Sequence, residues 1–228
     1  HDFFDAVHAY GKNLFNDFYE WLEFLGKISK NTDYCWYIKN RPNYPGKFKI
    51  YQPKTDHIIN KFVEKYPNII RLPNNYSHNQ IINEGITCAL TAYGTVALEY
   101  AFFNIPVINA SVNNPHINYN FCLHPKSIRE YKDLILNVKN VRVKVNRSDI
   151  YEFFFMRHIY STKSWLINDL NKYMKFVGGW SNMNSYKFYE FWLNNTSQKK
   201  ENKINKVFEK FILSNDDVLN LSHTSNNN

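Results

Sequence analysis

The chain has 228 residues, 44% of them hydrophobic, and carries 28 Lys and Arg against 20 Asp and Glu, a formal charge of +8. That length and apolar content suffice for one large domain, or a domain plus an appendage, and argue against a disordered chain. No run approaches the roughly 18 apolar residues of a membrane-spanning helix, and the first residues do not read as a signal peptide, so a cytoplasmic location is expected. The charge favours an anionic partner: nucleic acid, an acidic membrane face or a phosphorylated small molecule. Cys35, Cys88 and Cys122 show no Cys-x-x-Cys pair or nearby His cluster and read as reduced, packed thiols. The 17 Tyr and 18 Phe, with abundant Lys, Asn and Ile, read as the bias of AT-rich coding more than as a functional signature. The chain starts with His1 instead of Met, so a piece of something longer is expected.

In chain order, a loop "HDFFDAVHAYGKN" precedes "LFNDFYEWLEFLGKIS", where Leu14, Phe18, Trp21, Leu22, Leu25 and Ile28 recur at helical spacing. "YCWYIK" reads as a short strand closed by "NRPNYPG". Then follow a helix "DHIINKFVEKY", a strand "NIIRLP", a short helix "SHNQIINE" with Ser77 as its cap, and a strand "ITCALTA". The helix "TVALEYAFF", the strand "PVINA" and the helix "SIREYKDLILNV" complete the series. Strands alternating with helices of about ten residues predict parallel βαβ units, hence an α/β fold with a Rossmann-like, doubly wound sheet of four or five parallel strands. From Ser148 the pattern turns helical: "DIYEFFFMRHIYST", a segment from Trp165 to Phe176, and "NKINKVFEKFIL", with "VGGWSNMNS" as a loop. The expected division is a nucleotide-binding domain over 1–147, a helical extension over 148–213 and a disordered tail over 214–228.

The chemistry concentrates in "LTAYGTVALEYAFFNIPVINAS", an apolar run interrupted by a Tyr-Gly-Thr turn and the lone carboxylate of Glu99. Ligands of open α/β sheets bind at the carboxyl ends of strands, where helix N-termini present N–H groups. Tyr93, Gly94 and Thr95 follow such a strand end. Gly94 leaves room for a phosphate, and Thr95 can cap the helix or donate its hydroxyl. Glu99, one and a half turns into the helix, has the chemistry to accept hydrogen bonds from the vicinal hydroxyls of a ribose. Asn104 suits a left-handed helix terminus, with Pro106 beyond it. On spacing alone, the turn also reads as plain helix punctuation and Glu99 as a solvated side chain.

"LEYAFFNIPVINA" resembles the Glu-Ala-x-Ala-x-Gly-x-Pro-Val-Ile segment in the donor-binding domain of nucleotide-sugar-dependent glycosyltransferases with the two-Rossmann GT-B fold. "LFNDFYEWL", "WYIKNRP", a strand ending in Leu-Pro and "TAYGTVALEYA", in that order over roughly residues 1–135, are similar to the C-terminal halves of bacterial capsular and surface-polysaccharide transferases. Arg41 stands where that pattern has His before Pro42, and Thr91 where many retaining members have a first Glu. The resemblance implies that Glu99 contacts the ribose and that the other Rossmann domain, with the acceptor site, lies outside this chain.

Lys39 and Arg41, after the first strand, are placed to neutralise a diphosphate. Arg71, Leu72 and Asn74 follow the next strand and can frame the base. Asn114, His116 and Asn118 are expected to contact the sugar, and Asp5 with His8 forms a pair suited to general-base work on the acceptor. Each also reads as an ordinary loop or surface residue. No Asp-x-Asp motif lies in these loops, so no metal or other cofactor is expected; basic side chains and helix dipoles would stabilise the leaving diphosphate. The expected partners are a nucleotide-sugar and a glycan or lipid-linked acceptor, with peripheral contact at the inner membrane face. Alternatives are an NDP-sugar 2-epimerase-like enzyme and a catalytically idle nucleotide-sugar-binding module. A nucleic-acid-binding domain ranks last, because no recognition-helix pattern or RNA-binding aromatic signature is present.

Overall fold

A computed structural model describes residues 13–40, 52–160, 170–179, 182 and 184–224. The chain divides into two compact units, His1–Val145 and Asn146–Asn228. The first is α/β. Its elements are α1 (Phe18–Ser29), β1 (Trp36–Lys39), α2 (Gln52–Lys65), β2 (Ile69–Leu72), α3 (His78–Asn83), β3 (Ala89–Thr91), α4 (Val96–Phe102), β4 (Val107–Asn109) and α5 (Ile128–Leu136). The strands form two separate parallel pairs. β1 runs beside β2 with Trp36 opposite Ile69 and Lys39 opposite Leu72, and β3 runs beside β4 with Ala89 opposite Val107 and Thr91 opposite Asn109. The α/β alternation is as expected, but among the described residues hydrogen bonds link the strands only within each pair. Leu123 extends the second pair through a parallel bridge to Ile108.

The spacing of Phe18, Trp21, Leu25 and Ile28 puts these residues on one stripe of α1, and they pack with Tyr131 and Ile135 of α5 over Ala92, Ile108 and Ala110. At the centre of this cluster the Trp21 indole Nε1–H donates to the Tyr131 hydroxyl at 2.9 Å. All three residues of β4 are buried, as a strand covered on both faces requires. Ile108 faces α1 and α5, so Val107 and Asn109 face the opposite side by strand alternation. There α4 packs against both β3 and β4, burying Ala97, Tyr100 and Ala101. Leu22 of α1 reaches a second cluster with Phe62, Tyr66 and Ile69, against which Trp36 and Ile38 also pack. Gly26 is required where α1 meets this cluster: an added Cβ would lie 2.5 Å from two ring carbons of Tyr66.

The helix ends follow sequence chemistry. Asp17 caps α1 through the N–H of Glu20, and Ser77 with Gln80 forms a reciprocal capping box on α3. Asn104 adopts the expected left-handed conformation, φ 60°. Its N–H bonds to the carbonyl of Ala101, and that of Ile105 bonds to the carbonyl of Tyr100, which closes α4 in a Schellman motif. Thr95 differs from the expectation: it is already helical, and its side chain makes no capping bond. Of the cysteines, all unpaired, Cys122 is buried and Cys88 half-buried, whereas Cys35 is exposed and not packed as predicted.

The second unit has only helices among its described elements: α6 (Arg147–Phe154), continued by a π-helical turn over Phe155–Tyr160, then α7 (Leu170–Val177), α8 (Ser185–Asn195), α9 (Gln198–Ser214) and α10 (Leu221–Thr224). The sequence pattern gave no helix at α8. Tyr173, Val177 and Phe191 form the small core between α7 and α8. Residues 214–224, expected to be disordered, fold around His223. That side chain is buried, accepts from the N–H of Asn220 at 2.9 Å through Nδ1, and lies 2.9 Å from Ser214 Oγ and 3.1 Å from Asp216 Oδ2 through Nε2. Three polar partners supplied by the segment just before His223 explain the order of so polar a stretch. The set does not form a hydrolytic triad: with Nδ1 accepting, Nε2 carries the proton, so it donates and is no base for Ser214. Among the described residues no helix is long and apolar enough to cross a membrane.

Candidate functional site

The carboxyl end of β1 and the N-terminal turns of α3 and α4 bring together Lys39, His78, Glu99 and Tyr100. Strand alternation sends Lys39 to the face opposite Trp36 and Ile38, away from the core of α1 and α2. The Ser77 capping box fixes His78 as the first residue of α3. The His78 ring meets the Tyr100 ring edge-on at 5.5 Å, and its Nδ1 lies 3.2 Å from the Tyr100 hydroxyl. Burial pushes that hydroxyl up to about 12, with the Glu99 charge adding to the rise, so it remains a protonated donor. The hydroxyl and Nδ1 share this hydrogen bond, and Nε2 is the second polar atom of the imidazole.

The charges of these residues act on one another. Burial lowers the Lys39 pKa, and Glu99 opposes that fall. Burial also lowers the His78 pKa; Glu99 pulls it up and Lys39 pushes it further down. Two partly buried nitrogen groups thus feel the charge of one exposed carboxylate. Lys39 Nζ reaches only the carbonyl of Asn40, at 3.4 Å, and among the described residues it forms no ion pair. A partly desolvated cation that forms no ion pair within the chain is electrostatically suited to an incoming anion.

The other predicted site residues fall into three groups. Asp5, His8 and Arg41 lie outside the described residues. Arg71 is turned toward α2: it pairs with Asp56, donates to the side chain of Asn60, and reaches Asn74 Oδ1 at 3.5 Å. Asp56 also accepts from buried Asn40, so Arg71 and Asn74 belong to a polar lock between β2 and α2, with Leu72 partly buried beside it. On the Tyr-Gly-Thr turn, the N–H of Gly94 bonds to Thr91 Oγ1 at 3.0 Å, and the Tyr93 hydroxyl donates to the carbonyl of Asn113 at 2.7 Å. One amide of the expected phosphate cradle is thus already used.

His116 and Asn114 point inward. His116 is buried and stacks on Phe121 at 5.4 Å, and its backbone N–H donates to Asn114 Oδ1 at 3.2 Å. The Asn114 amide reaches His124 Nδ1 at 3.3 Å, and His124 Nε2 approaches the carbonyl of Tyr119 at 3.2 Å. These contacts shape the loop after β4; Asn118 is the exposed member of the predicted trio.

His78 and Tyr100 were missed in the sequence. The available signal was the Ser77-x-x-Gln80 capping box, which puts residue 78 at the mouth of the strand ends. No protein family, curated protein or solved structure matches the chain.

Proposed function

We propose that the chain is the donor-binding Rossmann half of a GT-B-type glycosyltransferase, and that Lys39, His78 and Glu99 hold a nucleotide-sugar. In this reading the two parallel pairs belong to one doubly wound sheet, with the ligand at the strand carboxyl ends. The observation that carries it is the convergence of two nitrogen groups and one exposed carboxylate at that edge, matching the two chemistries of a nucleotide-sugar. Lys39 and the imidazole of His78 suit the diphosphate, and Glu99 suits the ribose hydroxyls. The resemblance of "LEYAFFNIPVINA" to the donor segment of such enzymes assigns Glu99 the same role.

The reaction is transfer of the sugar to a growing capsular or surface glycan. An acceptor hydroxyl attacks the anomeric carbon and loses its proton to a base, a bond to the acceptor oxygen forms, and the bond to the phosphate oxygen breaks. The nucleoside diphosphate or monophosphate leaves with the electron pair. Lys39 and His78 stabilise the charge that develops on it.

The test is calorimetric titration with UDP, GDP, CDP and CMP at two salt concentrations, repeated on Glu99→Gln. The expected result is selective binding of one nucleotide, weakened at least about tenfold by the substitution. Binding of none of them, or binding indifferent to Glu99, contradicts the proposal.

A further inference from the structure

Two exposed surfaces of the second unit have opposite chemistry. Between α7 and α8 lies a groove of about 480 Å³ lined by Lys172, Lys175, Phe176, Phe191, Asn194 and Asn195. Phe191 is buried, and the Phe176 ring, 5.6 Å from it, is left 45% exposed as an apolar floor. Lys172 Nζ donates to Asn195 Oδ1 at 2.7 Å and the Asn195 amide donates to the carbonyl of Phe191 at 2.8 Å, which ties α7 to the C-terminal end of α8. Lys175 and Asn194 are exposed, and among the described residues the lining holds two lysines and no carboxylate. α9 packs through Ile204 and Val207 and divides its remaining surface between two stripes. Lys199, Lys203, Lys206 and Lys210, spaced four, three and four residues apart, form one. Glu201, Asn205, Phe208 and Ile212 repeat that spacing roughly 160° around the helix, with Glu209 at their border. On this second stripe Phe208 and Glu209 are exposed, and Ile212 is 72% exposed.

We propose that the acidic, apolar stripe of α9 docks in the α7–α8 groove of a second copy of the chain, with Phe208 and Ile212 against the Phe176 ring and Glu209 beside Lys175. The two surfaces complement each other twice over, apolar against apolar and carboxylate against ammonium, and docking takes the exposed apolar side chains of both out of water. The groove lysines repel the lysine stripe, so charge selects which flank of α9 enters. Every copy carries both surfaces, and a two-fold pair makes the contact twice, which brings its area nearer the roughly 1,200–2,000 Å² of a stable interface. A polyhydroxylated ligand fits the groove less well: the Asn195 amide is already bonded through both its oxygen and its nitrogen, which leaves Asn194 as the main uncharged polar group for its hydroxyls. A nucleic acid would use the lysines and the ring but has no use for an acidic stripe on the same unit. The inference does not rest on nucleotide binding, which belongs to the first unit.

The test is analytical ultracentrifugation of the full chain over a range of protein concentrations, without nucleotide. The wild type is expected to associate by mass action, and Lys175→Glu, Glu209→Lys and Ile212→Ser each to weaken association at least about tenfold. Combining Lys175→Glu with Glu209→Lys in one chain restores the opposite charges across the contact and should recover most of the lost affinity. Circular dichroism should stay unchanged throughout, because all three side chains are exposed. A wild type that stays monomeric at every concentration overturns the proposal and leaves the groove to another occupant. Association that survives any of the single variants, or that the double charge reversal does not restore, overturns it as well.

Discussion

The two units solve the same problem differently. In the first, α1 and α5 cover one face of the β3–β4 pair and α4 the other, and among its described residues the most exposed large apolar side chain, Ile70, stands at 54%. In the second, α8 shows Tyr186 at 75% and Leu193 at 68%, and the end of α9 shows Ile212 at 72% and Leu213 at 74%. A strand pair sandwiched between helices has few apolar positions left over. A helix with one packed face leaves any apolar residue on its other faces in water. The difference teaches that apolar residues set stability in the first unit and are free to serve recognition in the second.

Substitutions sharpen this contrast, beginning with the largest effect. Tyr131→Ala removes a fully buried ring and the partner of the Trp21 indole, and should lower stability by about 3–5 kcal/mol in denaturant unfolding. Gly26→Ala, although a better helix former, should cost about 1–3 kcal/mol because its methyl group meets the Tyr66 ring. Asn104→Ala should cost about 1–2 kcal/mol at its left-handed position, while Asn104→Gly should be neutral or stabilising. Leu193→Ser on the exposed face of α8 should change stability by less than about 0.5 kcal/mol. A loss of several kcal/mol there would break the comparison.

pH gives a further test of the first unit. Burial depresses the folded-state pKa of both His78 and His124 below the ordinary 6.5. Their contribution to stability is therefore fully present above 6.5 and is lost as pH falls through the depressed values, because the unfolded chain protonates first. Unfolding midpoints should decline on acidification over that window. A His124→Gln variant that keeps its fold should show a shallower decline.

The alternation of strands and helices, the Ser77 cap and the left-handed Asn104 were legible because each depends on neighbours in sequence. α8 was not, since Tyr186, Phe188, Tyr189, Phe191 and Trp192 place aromatic residues all around the helix and obscure its period. The site was half legible. Lys39 and Glu99 could be found from strand ends and motif resemblance, but Glu99, set in an apolar run, proves exposed. His116 looked like a loop ligand until its stacking on Phe121 showed why it turns inward. The meeting of His78 with Tyr100 is a contact across 22 residues, which local periodicity does not encode.

The central claim, that Lys39, His78 and Glu99 act as one nucleotide-sugar site, is tested most directly by NMR titration of the histidine ring signals, with His78 assigned by His78→Gln. In the free protein, Glu99→Gln should lower the His78 pKa and Lys39→Met should raise it, following the signs of the charges removed. Adding the nucleoside diphosphate selected by calorimetry should raise the His78 pKa, because the arriving anion stabilises the imidazolium. A His78 titration that ignores both substitutions and the nucleotide would contradict the account.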